Sequence, residues 1–234
     1  MKQRIVLLCV FAISVVVVGC SDDDVAEVLA GTGIPEASLY VYNQMTDDVT
    51  ADVHAGDSLF ERLVADDLPY SDQTRIAPEE KIDLTSDTAN TNIRVVRSDA
   101  NTVGPVSPSL KDNGKYTVVV MGDMAQSQPV IHAYERLAAV PAPTNVRVRV
   151  INAAWNLQNA MVDGATLAYE AATGYTEKTP AAGAITFVVM GGGVTYNPTC
   201  NVTAGQSYDV ILGYPNNSDP ATPPANVSVF CHQI

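Results

Sequence analysis

The chain has 234 residues and a formal net charge of −13, from 13 Lys and Arg against 26 Asp and Glu. Hydrophobic residues make up 47% and charged residues 17%, enough apolar material for a substantial core and too little charge for wholesale disorder. So acidic a surface repels phosphate backbones and anionic headgroups. That excludes nucleic acid as a partner and basic side chains as the means of holding a membrane.

Lys2 and Arg4 precede an apolar run of fourteen residues, 5–18, interrupted only by Ser14. As a helix this run reaches ~21 Å, short of a hydrocarbon core about 30 Å thick, so it predicts the h-region of a signal peptide rather than a permanent span. Val17-Val18-Gly19-Cys20 follows at once and resembles the lipobox of bacterial lipoproteins, although two valines stand where Leu and Ala or Ser are commoner. The resemblance implies that residues 1–19 are removed and that Cys20 is diacylated, becomes the first residue and is then N-acylated. Loss of Lys2 and Arg4 leaves 11 cations against 26 acids, a formal charge of −15. Two or more acyl chains exceed the marginal one-chain case, so the expected location is the cell envelope, lipid-anchored, at the outer membrane.

Residues 20–36 predict an acidic, solvated tether. Asp22, Asp23 and Asp24 are consecutive, and adjacent carboxylates in an extended segment diverge instead of sharing a calcium ion. Ser21 resembles the default outer-membrane sorting rule, while Ser21-Asp22-Asp23 also resembles a surface-export signal, so both the periplasmic and the outward face stay open. Of four cysteines, Cys9 leaves with the signal and Cys20 carries lipid, which leaves Cys200 and Cys231 as a pair in an oxidising compartment. A disulfide across their 31-residue separation stabilises the fold by about 3–4 kcal/mol in the chain-entropy model. Two cysteines with only His232 adjacent make a poor zinc site.

Alternation of apolar and polar residues dominates from residue 37 onward, and no stretch keeps helical spacing over several turns. The expected class is all-β. Val146, Val148 and Val150 share one strand face and Arg147 and Arg149 the other, a pattern that predicts a half-buried antiparallel strand. Ala37, Leu39 and Val41 repeat it upstream, with Asn43 answering Asn152 and Gly56 answering Gly164. The turn and strand Asn113-Gly114-Lys115-Tyr116 through Val120 then match Gly205-Gln206-Ser207-Tyr208 through Leu212. The chain therefore reads as a tandem repeat, residues 37–137 and 146–234, joined by an extended Pro-rich linker at 138–145. About seven strand candidates per unit, parted by turn signals, predict two immunoglobulin-like β-sandwiches.

The residues at 147–154, Asp163-Gly164 and the Gly205 to Val210 turn and strand are similar to a bacterial domain of unknown function numbered 4397. That resemblance implies an exported β-sandwich module, often in tandem and often on lipoproteins, without assigned catalytic residues. It covers nearly all of residues 37–234. Trp155-Asn156 and Met45-Thr46-Asp47 depart from the Pro-Asp usual after the family's first strand.

Little else in the chain carries chemistry. None of His54, His132 and His232 lies in a ligand spacing or a nucleophile motif, and Gly191-Gly192-Gly193 lacks the Lys and helix of a phosphate cradle, so it predicts a turn. No cofactor and no metal site are expected. Carboxylates abound without any two singled out. Asn43 and Asn152 fall at the inward phase of their strands, where a buried amide serves the backbone of the next loop. Tyr116 and Tyr208 are expected at equivalent core positions. Trp155, the only tryptophan, either caps the second core or contacts a ligand.

The leading expectation is a non-enzymatic, lipid-anchored binding, adhesion or assembly module with a protein or glycan partner. Two alternatives stand beside it: an envelope hydrolase using carboxylates between the domains, and a structural spacer.

Overall fold

The computed structural model describes residues 34–45, 50–57, 61–69, 80–123, 127–137, 139–213 and 223–234. Residues 1–19 and Cys20 lie outside the described residues, as does most of the tether. Among the described residues the chain is all-β, without a helix, and no helix is long and apolar enough to cross a membrane.

Among the described residues twenty strands build two immunoglobulin-like sandwiches of identical connectivity. In the first, β10 (Ser127–Glu135), β9 (Lys115–Asp123), β1 (Glu36–Met45) and β4 (Glu80–Asp83) form one sheet in that order. Facing it are the sheet β3 (Arg62–Leu68), β2 (Ala51–Ala55), β6 (Ile93–Arg97), β7 (Thr102–Val106) and the ribbon β5 (Thr88–Asn90) with β8 (Ser109–Lys111). The second sandwich repeats this strand for strand. Its first sheet is β20 (Ser228–Gln233), β19 (Ser207–Gly213), β11 (Val146–Asn152), β14 (Thr176–Lys178). Its second is β13 (Ala165–Ala168), β12 (Asn159–Val162), β16 (Val189–Gly191), β17 (Val194–Tyr196), with the ribbon β15 (Ala184–Thr186) and β18 (Thr199–Asn201). Every strand thus has its counterpart ten places later.

Local sequence explains the turns. Asp163 and Gly164 take φ of 50° and 86° between β12 and β13, and Gly192 and Gly193 take 57° and 84° between β16 and β17. Both are two-residue hairpin loops with two left-handed positions, the geometry that matches strand twist. Asn113 (φ 57°) and Gly205 (φ 81°) hold the same left-handed position before β9 and β19, which only glycine and a few polar residues adopt cheaply. Just beyond, the hydroxyls of Tyr116 and Tyr208 accept the amides of Lys111 and Thr203, each five residues upstream, at 2.9 and 2.8 Å. Both rings are buried, in the first and the second core respectively.

One feature differs from the sequence expectation. The strand bearing Val146, Val148 and Val150 is neither half-buried nor chiefly antiparallel: β11 pairs parallel with β19 over six residues and antiparallel with β14 over three. Its Arg-bearing face is covered as well, because the first sandwich packs on it. In the second repeat the chain leaves the β15 ribbon at Phe187-Val188 and enters the sheet of β12 and β16.

Three apolar clusters result. One lies between the sheets of the first sandwich and one between those of the second. The third joins them: Val119 and Met121 of β9 meet Ile151, Ala153, Ile211 and Phe230, with Tyr42, Val130, Tyr134, Tyr169 and Ala172 packed around. The molecule is therefore four layers deep, and its two central sheets bury both faces. Such sheets need apolar runs rather than alternation. Val118 to Met121 on β9 and Val210 to Leu212 on β19 are runs of this kind.

Candidate functional site at the seam of the sandwiches

The seam is built from matching positions of the two repeats. Tyr40 pairs with Thr117 in the first sheet as Arg149 pairs with Asp209 in the second. Across the seam Thr117 meets its own counterpart, its hydroxyl donating to Asp209 Oδ2. Asp209 is 0% exposed and Arg149 6%. Arg149 holds Asp209 with two parallel hydrogen bonds, Nε to Oδ1 at 2.9 Å and Nη2 to Oδ2 at 2.6 Å, and the Tyr175 hydroxyl donates to Oδ1 at 2.8 Å. A carboxylate buried this deeply is tolerable only when its oxygens are filled, as these are. Burial, and then the neighbouring Asp209 charge, raise the Tyr175 phenol above its ordinary pKa.

Further contacts cross or border the seam. Arg149 Nη1 donates to the Glu135 carbonyl at 2.5 Å, and Arg147 Nη1 to the Leu137 carbonyl at 2.8 Å. The Tyr134 hydroxyl donates to the Glu170 carbonyl at 2.7 Å, and His132 Nε2 lies 3.0 Å from the Glu170 carboxylate. His232 rests against Tyr40 and Tyr42, with ring centroids 4.6 and 5.5 Å apart. The linker is fastened too: Ser207 Oγ donates to the Ala139 carbonyl and the Gly205 amide to the Asn145 carbonyl. Of the Pro-rich linker expected over residues 138–145, Ala139 and Asn145 are fastened in this way to the start of β19.

Where strands β9 and β19 begin, the seam opens into a cleft of about 730 Å³. Lys111, Asp112, Lys115, Glu135, Arg136 and Leu137 line it from the first repeat, Gln206, Ser207 and Ile234 from the second, and Val140 and Pro141 from the linker. Its volume falls within the range of small-molecule sites. Lys111 Nζ holds both oxygens of Glu135 at 2.9 and 3.1 Å, and the Arg136 guanidinium stacks 4.0 Å from the Tyr40 ring centroid. Asp112 accepts the Glu36 amide and the Asn113 side-chain amide. The side-chain carboxylates of Asp112 and Glu135, both in the lining, are thus held by internal partners, and Ile234 lines the cleft beside them. Among the described residues no group of His, Cys, Asp and Glu could hold a metal ion.

The residues singled out from sequence fall elsewhere. Cys200 on β18 and Cys231 on β20 lie at disulfide distance, 6.0 Å between Cα atoms, and join the ribbon to the central sheet. In the first repeat the matching places are Leu110 and Ala133, so apolar residues of the first core stand where the second repeat has the cysteine pair. Trp155 is half-buried against the second core, its indole nitrogen buried without a hydrogen-bond partner, and it does not line the cleft. Asn43 donates to the Leu68 carbonyl and accepts the Met45 amide; Asn152 donates to the Leu157 and Leu167 carbonyls and accepts the Ala154 amide. The Asn152 amide thus serves the loop that follows its strand, whereas Asn43 ties the end of β1 to the end of β3. Sequence reasoning missed Asp209. Its signal was an acid inside an otherwise apolar strand, opposite an arginine at the same phase of the partner strand.

No protein-family model matches the chain, and no curated protein matches it. Among solved structures the chain is similar to a Bacteroides thetaiotaomicron protein of the domain family DUF1812, to which its name attributes polysaccharide binding only provisionally. Identity is 8%, 86% of this chain and 98% of that one are covered, and the TM-score is 0.21, at which the likeness carries no argument about function.

Proposed function

We propose that the chain is an exported, lipid-anchored envelope protein acting as a non-enzymatic binding module, with its ligand end at the seam between two domains of the 4397 kind. One observation carries the binding reading: two sandwiches locked by a buried ion pair leave a walled cleft at their junction. Preorganised concavity of this sort lowers the entropic cost of holding a ligand. The disulfide-distance pair Cys200 and Cys231 fits an oxidising compartment, as export through residues 1–19 requires. The hydrolase reading needs a free pair of side-chain acids, and those at the cleft, Asp112 and Glu135, already have partners.

The test is made in native envelopes. Radiolabelled palmitate is expected to enter the wild-type chain and not Cys20→Ser, which leaves the membrane fraction. Cross-linking of the anchored protein is expected to recover a protein or glycan partner. Equal membrane retention of Cys20→Ser overturns the anchor. A wild-type protein that cross-links to nothing beyond itself favours the spacer.

A further inference from the structure

We propose that the outer sheet of the second sandwich, formed by β13, β12, β16 and β17, is a self-association surface on which a second copy of this chain packs face to face. The surface lies apart from the seam cleft and does not depend on the binding reading above.

Strand pairing lines up one row of side chains across that sheet. Thr166 stands opposite Met161, Met161 opposite Met190, and Met190 opposite Thr195. Their neighbours on β12 and β16, Ala160, Val162, Val189 and Gly191, are buried, so the row points away from the core. All four members are exposed, Met161 at 40% and Met190 at 44%. Val188, two positions before Met190, is 42% exposed. None of these five side chains carries a charge. At the end of the sheet the Asp163 carboxylate is matched by Lys178, 2.5 Å away.

The first repeat shows that the fold does not require an apolar row here. Asn43 and Asn152 donate to the carbonyls of Leu68 and Leu167, so those leucines correspond, and Ala51 and Ala160 pair with them. Counted from there, Thr166, Met161, Met190 and Thr195 answer to Asp67, Asp52, Val96 and Thr102, and Val188 answers to Arg94. Asp52 accepts the Asp67 amide, and Arg94 holds Glu61. An outer sheet face in contact with water is ordinarily polar, as the first repeat's is. The second repeat has lost two acids and an arginine from the same backbone positions and gained two methionines and a valine.

The seam and the net charge together point to the occupant. At the seam two sandwiches of this connectivity meet through outward sheet faces made apolar, with Val119 and Met121 on one side and Ile151 and Ile211 on the other. The face of Met161 and Met190 is another outward face of that kind, and a sandwich of the same fold is the partner that such faces meet in this molecule. Copies of a chain with formal charge −13 repel one another, so they approach best where neither brings an acid. A twofold axis through the row sets methionine on methionine, a self-complementary contact between side chains that adapt to each other's shape. Four strands at about 4.8 Å and three or four residues at about 3.4 Å make a small face. It falls well short of the roughly 800 Å² per partner of a stable interface, so the association is weak, with a Kd on the order of 0.1 mM.

The experiment is cross-linking of the full chain in native envelopes with a short bismaleimide, which accumulates even a weak contact. Met161→Cys is expected to give a product of twice the chain's mass. Asp52→Cys, at the equivalent place of the first repeat, is expected to give about tenfold less, once a monomaleimide has labelled both thiols. Met190→Glu in the Met161→Cys chain is expected to cut the product about tenfold while the melting temperature stays near that of its parent. Met190→Thr, a milder change, is expected to lower it severalfold. A product no more abundant than from Asp52→Cys, or one that survives both changes at Met190, overturns the proposal. So does an adduct with a different protein, which assigns the face to a foreign partner, or a Met161→Cys thiol labelled only after detergent is added, which assigns it to lipid. The palmitate and partner tests above read the anchor and the binding module separately: their failure leaves a Met161→Cys dimer standing, and its absence leaves them untouched.

Discussion

Asn152 shows how one side chain can hold a loop. Its amide makes three backbone hydrogen bonds inside the second core, where no water can replace them. Asn152→Ala strands two carbonyls and an amide and is expected to cost about 2–4 kcal/mol, read from urea unfolding. Gln44 is the opposite case. It is 2% exposed, lies against Gly213 across the seam, and neither its amide nitrogen nor its oxygen has a partner. Gln44→Met removes two unsatisfied polar atoms at nearly constant volume and is expected to raise stability by about 1–2 kcal/mol in the same measurement. The alternation pattern identified Asn43 and Asn152 because they interrupt an apolar phase. Gln44 was invisible to it, since its phase faces water in a lone sandwich and protein only when the second sandwich is in place.

At the scale of elements, the β18 ribbon is held to the central sheet by Cys200 and Cys231 in the second repeat, where the first repeat has the apolar residues Leu110 and Ala133. Cys200→Ser with Cys231→Ser is expected to lower stability by about 3–4 kcal/mol, and a reducing agent is expected to do the same to the wild type without further effect on the variant. Strand type was legible because period-two alternation marks a face. Pairing was not. Parallel pairing of β11 with β19 joins segments some sixty positions apart, and nothing local to either distinguishes a parallel from an antiparallel neighbour. The turns were legible for the opposite reason: Asp163-Gly164 and Gly192-Gly193 carry their left-handed requirement in their own residues.

At the scale of the whole molecule, the seam decides stability. Asp209→Ala leaves Arg149 buried and unpaired and is expected to cost about 3–5 kcal/mol in urea unfolding, whereas the joint change Asp209→Leu with Arg149→Met is expected to recover much of that loss. The seam also sets the alkaline limit. Burial is the largest cause raising the phenols of Tyr42, Tyr134, Tyr169 and Tyr175, followed by Asp209 for Tyr42 and Tyr175 and by Glu170 for Tyr134 and Tyr169. These tyrosines ionise near 10 in the unfolded chain and well above it in the folded one, so above pH 10 the unfolded state binds fewer protons. Their contribution is fully present below pH 10 and lost as pH rises toward the folded values. Urea midpoints measured from about pH 9 to 11.5 are expected to fall, with tyrosinate absorbance appearing together with unfolding. A midpoint that stays level across that range removes the linkage.

The sequence by itself determined the all-β class, the hairpin turns, the cysteine pair and the inward asparagines, because each follows from periodicity or from the conformational needs of a few neighbouring residues. Only the tertiary structure decided that the two sandwiches stack into four layers, that Arg149 and Asp209 meet inside rather than at the surface, and that a cleft opens where β9 and β19 begin. Those outcomes depend on which faces meet across more than sixty residues, and alternation reports that a face exists without saying what covers it.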